Sequence, residues 1–311
     1  MTHSFQRYTG AGNTFVVMNT WEDPLSLSRE EMRMLVRKAC DYEDSVGADG
    51  MILVNQSGLG AQFRMDFYNP DGTTGMLCGN GTRCAVRAAS DYGLVNLSPD
   101  PPLSKGKGKQ EIDFEVLGAI NHADLLPNGN IRAFFQDPSI IRLKFPLALE
   151  KHESVEANYI DLGSQHVVIF YDELNRFGES DIEQMNIEHF GPLLRWHPEF
   201  TPKGANANFI EIREDGEEKY LRIRTWERGV EGETLACGTG CMSSAIAARM
   251  NGRIPKIPVR LLTQSGEYVT VDFEIQGDRV TNLSLEGSVI RGEEGMLKFD
   301  ETTGTLDVEY V

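Results

Sequence analysis

One pattern occurs twice in this chain, and it limits the fold more than any other feature. "LCGNGTRC" runs from Leu77 to Cys84, and "ACGTGC" runs from Ala236 to Cys241. The likeness extends upstream of both. "FRMDFYNPDGTTGMLCGNG" from Phe63 aligns with "LRIRTWERGVEGETLACGTG" from Leu221, the second copy being one residue longer. Earlier still, "GNTFVVM" (Gly12 to Met18) aligns with "GSQHVVI" (Gly163 to Ile169), which sets Asn13 against Ser164 and Phe15 against His166. Two matches in the same order and with similar spacing point to an internal duplication. Each half then reads as strand, polar turn, strand, polar loop, and a cysteine with glycines that opens a helix.

The local patterns give an α+β chain. "SREEMRMLVRKAC" carries a capping box, with Ser28 as N-cap and Glu31 three residues on, ahead of a helix presenting Met32, Leu35 and Val36. "QEIDFEVLG", "YIDLGSQHVVIF", "NFIEI" and "KYLRIRTW" have the β-branched, aromatic and partly alternating character of strands. "VNLSPDPPLSKGKGKQ" is rich in Pro, Gly, Ser and Lys and reads as an exposed loop. The helices after Cys78 and Cys237 are rich in Ala, Ser and Cys and carry apolar residues around most of their circumference, as an enclosed helix does. Gly93 and Gly252 are their expected stops. The expectation is two pseudosymmetric domains, each a curved, barrel-like mixed sheet around a central helix, with the active site in the cleft between them. The first covers residues 1–130 and is rejoined by 287–311; the second covers 131–286.

Composition narrows the chemistry. A net charge of −17 argues against nonspecific binding to nucleic acid or anionic membranes. No apolar run reaches the length of a membrane span, and the start "MTHSFQRYTGAG" lacks the regions of a secretory signal, so a cytoplasmic protein is expected. Five cysteines, an odd number, fit free thiols better than a disulfide framework. Zinc or redox use is a poor fit: C-x5-C and C-x3-C interrupted by glycines match neither paired C-x2-C ribbons nor a C-x-x-C motif, and no metal is expected. "GAGNTF" lacks the third glycine of a dinucleotide fingerprint, and neither cysteine loop carries the G-K-[ST] of a P-loop.

Cys78 and Cys237 would sit at helix N-termini, where unpaired backbone N–H groups and the macrodipole lower a thiol's pKa and bind carboxylate. The glycines beside them let backbone approach a ligand closely. Two such thiols facing one pocket suit one chemical task. Inverting a carbon that bears one hydrogen needs a base on one face and an acid on the other, and a thiolate and a thiol exchange these roles according to which enantiomer binds. Helix N-termini holding the substrate carboxylate would stabilise charge on the adjacent α-carbon, so no cofactor is needed. Cys40, Cys84 and Cys241 read as packing residues.

At this point the chain resembles the diaminopimelate epimerases, on "GAGNTF", "GADGMI", "YNPDGTTGMLCGNGTRC", "NANFIEI" and "WERGVEGETLACGTGC". The resemblance covers nearly the whole chain. It implies cofactor-independent interconversion of LL- and meso-2,6-diaminopimelate, in lysine and peptidoglycan synthesis, by a homodimer. Cys78 and Cys237 are then the acid/base pair, and Gly79-Asn80 and Gly238-Thr239 hold the reacting carboxylate. Asn13, Asn69, Asn206 and Arg228 contact substrate, with Arg228 on the distal carboxylate. Glu227 and His166 stand beside the cysteines, and Glu227 also reaches a substrate ammonium. Departures lie at the distal end: Gly163-Ser164-Gln165-His166 stands where the family often has Gly-Asn-Pro-His. Gly50 replaces a frequent glutamine, and "ERGVEGET" is one residue longer than usual. The loss of that Asn-Pro pair leaves a racemase of another amino acid, such as histidine, as the alternative.

Overall fold

The structure is a computed structural model that describes residues 1–74, 79–95, 108–149, 154–174 and 181–311. The chain divides into two compact units, Met1–Ala133 together with Gly287–Val311, and Phe134–Glu286. The first unit runs β1 (Thr2–Gly10), β2 (Asn13–Asn19), α1 (Arg29–Ala39), β3 (Met51–Asn55), β4 (Phe63–Tyr68), α2 (Gly79–Asp91), β5 (Gln110–Val116), β6 (Ala119–Leu125) and β7 (Ile131–Phe134). The second runs β8 (Ile140–Ala148), β9 (Ser154–Asp161), β10 (Gln165–Phe170), α3 (Ile187–Arg195), β11 (Asn206–Asp215), β12 (Glu218–Glu227), β13 (Gly232–Thr234), α4 (Gly238–Met250), β14 (Val259–Leu262), β15 (Tyr268–Gln276) and β16 (Arg279–Gly287). The chain then returns to the first unit as β17 (Ile290–Phe299), paired with β1, and β18 (Leu306–Tyr310), paired with β17.

The duplication is written in the strand pairing. In the first unit β1 is antiparallel to β2, β2 parallel to β3, β3 antiparallel to β4, β4 parallel to β5 and β5 antiparallel to β6. In the second, β9, β10, β11, β12, β14 and β15 repeat that alternation in the same order. Each parallel pair needs a crossover, and each crossover holds a helix: α1 and α2 in the first unit, α3 and α4 in the second. Even the small β13, which pairs with β12, has a counterpart in the bridge between Tyr68 and Thr74 beside β4.

The central strands are covered on both faces, so they read as unbroken apolar runs rather than alternating ones. Phe15 and Val17 of β2 and Ile52 and Val54 of β3 pack on α2, while Val16, Met18, Met51 and Leu53 point the other way, onto α1. Strands β1 to β7 all contribute side chains to the cluster that encloses Cys84, Ala85, Val86, Ala88 and Ala89 of α2. In the second unit α3 covers the outer face of β10 and β11 through Val167, Ile169, Ala207 and Phe209. Helix α4 packs against β9, β10, β11, β12, β14 and β15, and every residue from Gly240 to Ala248 is buried. A helix this enclosed must be built from small side chains, which explains its Gly, Cys, Ser and Ala content.

Local signals act where the sequence places them. The Ser28 hydroxyl accepts from the Glu31 N–H and the Glu31 carboxylate accepts from the Ser28 N–H, completing the capping box of α1. Gly93 and Gly252 adopt left-handed φ of 71° and 73° after α2 and α4, and the N–H groups of Leu94 and Arg253 reach back to the carbonyls of Ala89 and Ala248. Of the Pro- and Lys-rich stretch Val95–Gln110, read as an exposed loop, residues 96–107 lie outside the described residues.

Candidate active site

In the first unit, Asn13 is placed by a two-residue hairpin. Gly10 pairs with Asn13, and the intervening Ala11 and Gly12 both have positive φ (51° and 86°), the geometry of a tight I′ turn. From there Asn13 Nδ2 donates to Asp49 Oδ2 (3.3 Å), which also accepts the Thr14 N–H (2.8 Å). Its Oδ1 accepts from Asn80 Nδ2 at 2.6 Å, and Asn80 Oδ1 accepts from Arg83 Nη2 at 3.0 Å. Arg83 is wholly buried, so this guanidinium, Asn80, Asn13 and Asp49 form one continuous network at the start of α2. Gly79 opens that helix. Asn69 belongs to the turn after β4, where its amide N–H and Nδ2 donate to the carbonyl and hydroxyl of Thr73, both at 2.9 Å. Cys78 lies outside the described residues.

In the second unit, Cys237 is the N-cap of α4, with Gly238 and Thr239 as its first helical residues. The thiol is 7% exposed, and its Sγ lies 3.5 Å from Thr239 Oγ1. Asn206 holds three strands' ends together: its Nδ2 donates to Ser164 Oγ (3.0 Å) and the Gln165 carbonyl (2.9 Å), and its Oδ1 accepts the Arg228 N–H (2.8 Å). Arg228 Nη1 donates to Gln165 Oε1 at 2.6 Å, and Gln165 Nε2 in turn donates to Asp161 Oδ2 at 3.0 Å. The two residues that replace the Asn-Pro pair therefore bond directly to the two side chains expected to read substrate. Glu227 accepts from the Thr234 hydroxyl at 2.8 Å.

His166 is fully buried, and its Nδ1 accepts from Asn208 Nδ2 at 3.2 Å, which leaves the ring proton on Nε2. That Nε2 has no partner among the described residues. Burial first, then the Arg228 charge, push the imidazole down to about 3, so it is neutral throughout the physiological range.

The direction of Cys237 acidity corrects the expectation of a thiol activated by its helix N-terminus. Burial and the Glu227 carboxylate push this thiol well above the usual value, against the opposing Thr239 hydroxyl and Gly240 N–H. Desolvation outweighs the few dipoles that the first turn offers, so Cys237 is a protonated thiol in this state. Cys40, Cys84 and Cys241 are buried, like Cys237.

Sequence reasoning passed over Asn208, Asp49 and Arg83. Asn208 stands two residues beyond Asn206 on one strand, hence on the same face, and the spacing in "NANF" was the available signal. Arg83 follows Asn80 by one helical turn, which puts it within reach of the same amide.

Among the described residues, Glu111, His122 and Asp124 bring one ligand atom each within 4.8 Å of one another. The Lys109 ammonium already bridges Asp124 (3.0 Å) and Glu111 (3.1 Å), so a cation fills that position.

A family model described as diaminopimelate epimerase matches residues 5–117 and 158–289, the two arms of the repeat. The chain belongs to the diaminopimelate epimerase family. It is 35% identical over 300 residues to the diaminopimelate epimerase of Aquifex aeolicus, covering 94% of this chain and 97% of that protein. To the diaminopimelate epimerase of Gemmatimonas aurantiaca it is 32% identical over 300 residues, covering 93% and 98%. It is an enzyme, an isomerase of the epimerase type. Solved structures share the fold at low identity. A phenazine biosynthesis protein of Bacillus anthracis aligns with a TM-score of 0.66 and 18% identity over 96% of this chain and all of that one. A probable proline racemase of Agrobacterium radiobacter aligns with a TM-score of 0.66 and 15% identity over 96% and 93%.

Proposed function

We propose that this enzyme epimerises LL-2,6-diaminopimelate to the meso isomer by a two-base mechanism without a cofactor, with Cys78 and Cys237 as the acid/base pair. The observation that carries this reading is Cys237 itself, a buried thiol at the N-terminus of a helix enclosed by its own sheet, in a chain that repeats the same motif around Cys78. A thiolate removes the α-proton on one face, and the thiol opposite returns a proton to the other, so the reaction is neutral in protons overall. Backbone N–H groups of Gly79-Asn80 and Gly238-Thr239 hold the α-carboxylate and stabilise the carbanion that forms beside it.

The raised pKa of Cys237 fits the acid role in the direction that begins at Cys78. Glu227 contributes to that rise, and a substrate α-ammonium paired with Glu227 would cancel its charge and bring the thiol back toward a value suited to proton transfer. His166, neutral and with an Nε2–H that has no partner among the described residues, would serve as a neutral donor to substrate. Arg228, Asn206 and Asn69 with Asn13 read the polar distal end. The resemblance further supports a cytoplasmic homodimer serving lysine and cell-wall synthesis.

A second reading, racemisation of another amino acid such as histidine, is favoured by one contact: Gln165 Oε1 already occupies Arg228 Nη1. Proton NMR of the reduced enzyme with LL-diaminopimelate in deuterated buffer separates the two. Loss of the α-proton signal with appearance of the meso isomer, absent in Cys78→Ala and Cys237→Ala, supports the first reading. Exchange with histidine and none with diaminopimelate supports the second.

A further inference from the structure

Outside these residues the first unit carries a cavity of about 550 Å³, within the size range of small-molecule sites. It opens where α1 stops covering the outer face of β3 and β4. Residues 64, 66 and 68 of β4 alternate onto one face, which carries Arg64, Asp66 and Tyr68 into the cavity beside Leu53 and Asn55 of β3. Opposite them stand Leu25 and Leu27 of the connecting segment and Arg29, Met32 and Arg33 of α1.

The charges inside are unequally matched. Asp66 is already satisfied, by Arg64 (3.0 Å) and by Asn55 Nδ2 (2.7 Å). Arg29 and Arg33 sit one helical turn apart on the same side of α1. Neither makes a hydrogen bond or close ion pair with another described residue; the Asp71 carboxylate, held by the Thr73 N–H and hydroxyl, meets the Arg33 charge only at longer range. Their position works against the helix, because cations in the first turns oppose the macrodipole. Arg29 is the first residue of α1. Two guanidinium groups with no carboxylate bonded to them, an exposed Arg29 and a half-buried Arg33, therefore line a cavity whose floor is Leu25, Leu27, Met32 and Leu53, in a chain whose net charge is −17.

We infer that this cavity is a binding site for a small organic anion with an apolar body, its carboxylate or phosphate held by Arg29 and Arg33 and its body seated on Met32 and Leu53. Forked guanidinium groups bind both kinds of head well. Thr73 and Thr74 also line the cavity, and a Cβ on Gly72 would lie 2.8 Å from the Arg33 backbone. An occupant thus touches the turn that carries Asn69, which gives the site a route to the reaction centre through one short segment. The inference does not depend on which amino acid the enzyme inverts.

The test uses the full chain labelled with [methyl-13C]methionine, with the Met32 signal assigned from Met32→Leu. Phenylphosphate and benzoate are titrated in turn, and cyclohexanol serves as the uncharged control. A saturable Met32 shift is expected with at least one anion, and the stronger of the two identifies the preferred head group. Arg29→Gln/Arg33→Gln should raise the midpoint at least about tenfold, the loss of roughly 1.4 kcal/mol of charged hydrogen bonding. The remaining methionine signals of that variant report that it is folded. The inference fails if neither anion shifts Met32 saturably up to about 20 mM, where binding would be weaker than roughly 2 kcal/mol. It also fails if the double variant binds as the parent does, or if cyclohexanol binds as tightly as the anions.

Discussion

Asn208 Nδ2 donates to His166 Nδ1 at 3.2 Å, and this one contact sets which ring nitrogen of His166 carries the proton. The amide is itself fixed from three sides. It donates to the Val167 carbonyl (3.0 Å), it accepts from the Thr225 hydroxyl (3.0 Å), and Gly240 of α4 packs so closely on its oxygen that a Cβ would clash. Asn208 thus ties two strands, the histidine and the first turn of α4 into one buried unit.

Removing that amide should be costly. Asn208→Ala leaves the Thr225 hydroxyl and His166 Nδ1 unpaired in a dry interior, a loss of about 2–4 kcal/mol. Gly240→Ala should destabilise as well, since its methyl group meets Asn208 Oδ1. The double variant should be more stable than the sum of the two losses predicts, by about 1 kcal/mol or more, because truncating the amide makes room for the methyl. Urea unfolding of the four proteins measures this, and strict additivity would mean that the close approach carries no strain.

His166 also makes stability depend on pH. Its folded pKa, near 3, lies below the unfolded value near 6.5, so between those values the unfolded chain binds a proton that the folded one refuses. The slope of unfolding free energy with pH is then positive: stability is present above about pH 6.5 and drains as pH falls toward 3. Between pH 7 and pH 5 this group alone should remove about 2 kcal/mol. In His166→Gln the loss over that interval should shrink by that amount, as followed by denaturant unfolding at both pH values.

Glu227 should govern how Cys237 reacts. A carboxylate beside a thiol disfavours the thiolate, so Glu227→Gln lowers the Cys237 pKa and speeds its alkylation by iodoacetamide at neutral pH several-fold. In the parent enzyme the rate should keep climbing above the inflection of an ordinary cysteine. Peptide mass spectrometry against time and pH reads both, and equal rates in the two proteins would remove Glu227 as the cause.

Gln165 holds Arg228 in place rather than merely neighbouring it. Gln165→Ala removes the acceptor of Nη1 and its link to Asp161. Losing one hydrogen bond of that kind, roughly 1 kcal/mol, should raise KM for diaminopimelate about fivefold with little change in kcat. A fall in KM would instead show that Gln165 competes with the distal carboxylate.

Much of this molecule could be read before any coordinates. The capping box at Ser28 and the left-handed stops at Gly93 and Gly252 are local chemistry, decided by a few adjacent residues, and each acts as written. The repeat of Phe63–Gly81 in Leu221–Gly240 carried further, because copies of one sequence pattern must bury their apolar faces in the same way. It set the shared order of strand pairing and the enclosed helices α2 and α4.

What the sequence alone did not decide were the quantities that depend on packing between distant residues. A helix N-terminus lowers a thiol's pKa in isolation, yet burial and Glu227 reverse the sign at Cys237. Asn208 is one more polar residue in a strand until His166, Thr225 and Gly240 close around it, and Arg29 is an ordinary first-turn residue until β4 turns Arg64 and Asp66 toward the same space. Local propensity acts over a few residues of chain, whereas desolvation and pairing act over a few ångströms of space, and only the folded chain brings those neighbours together.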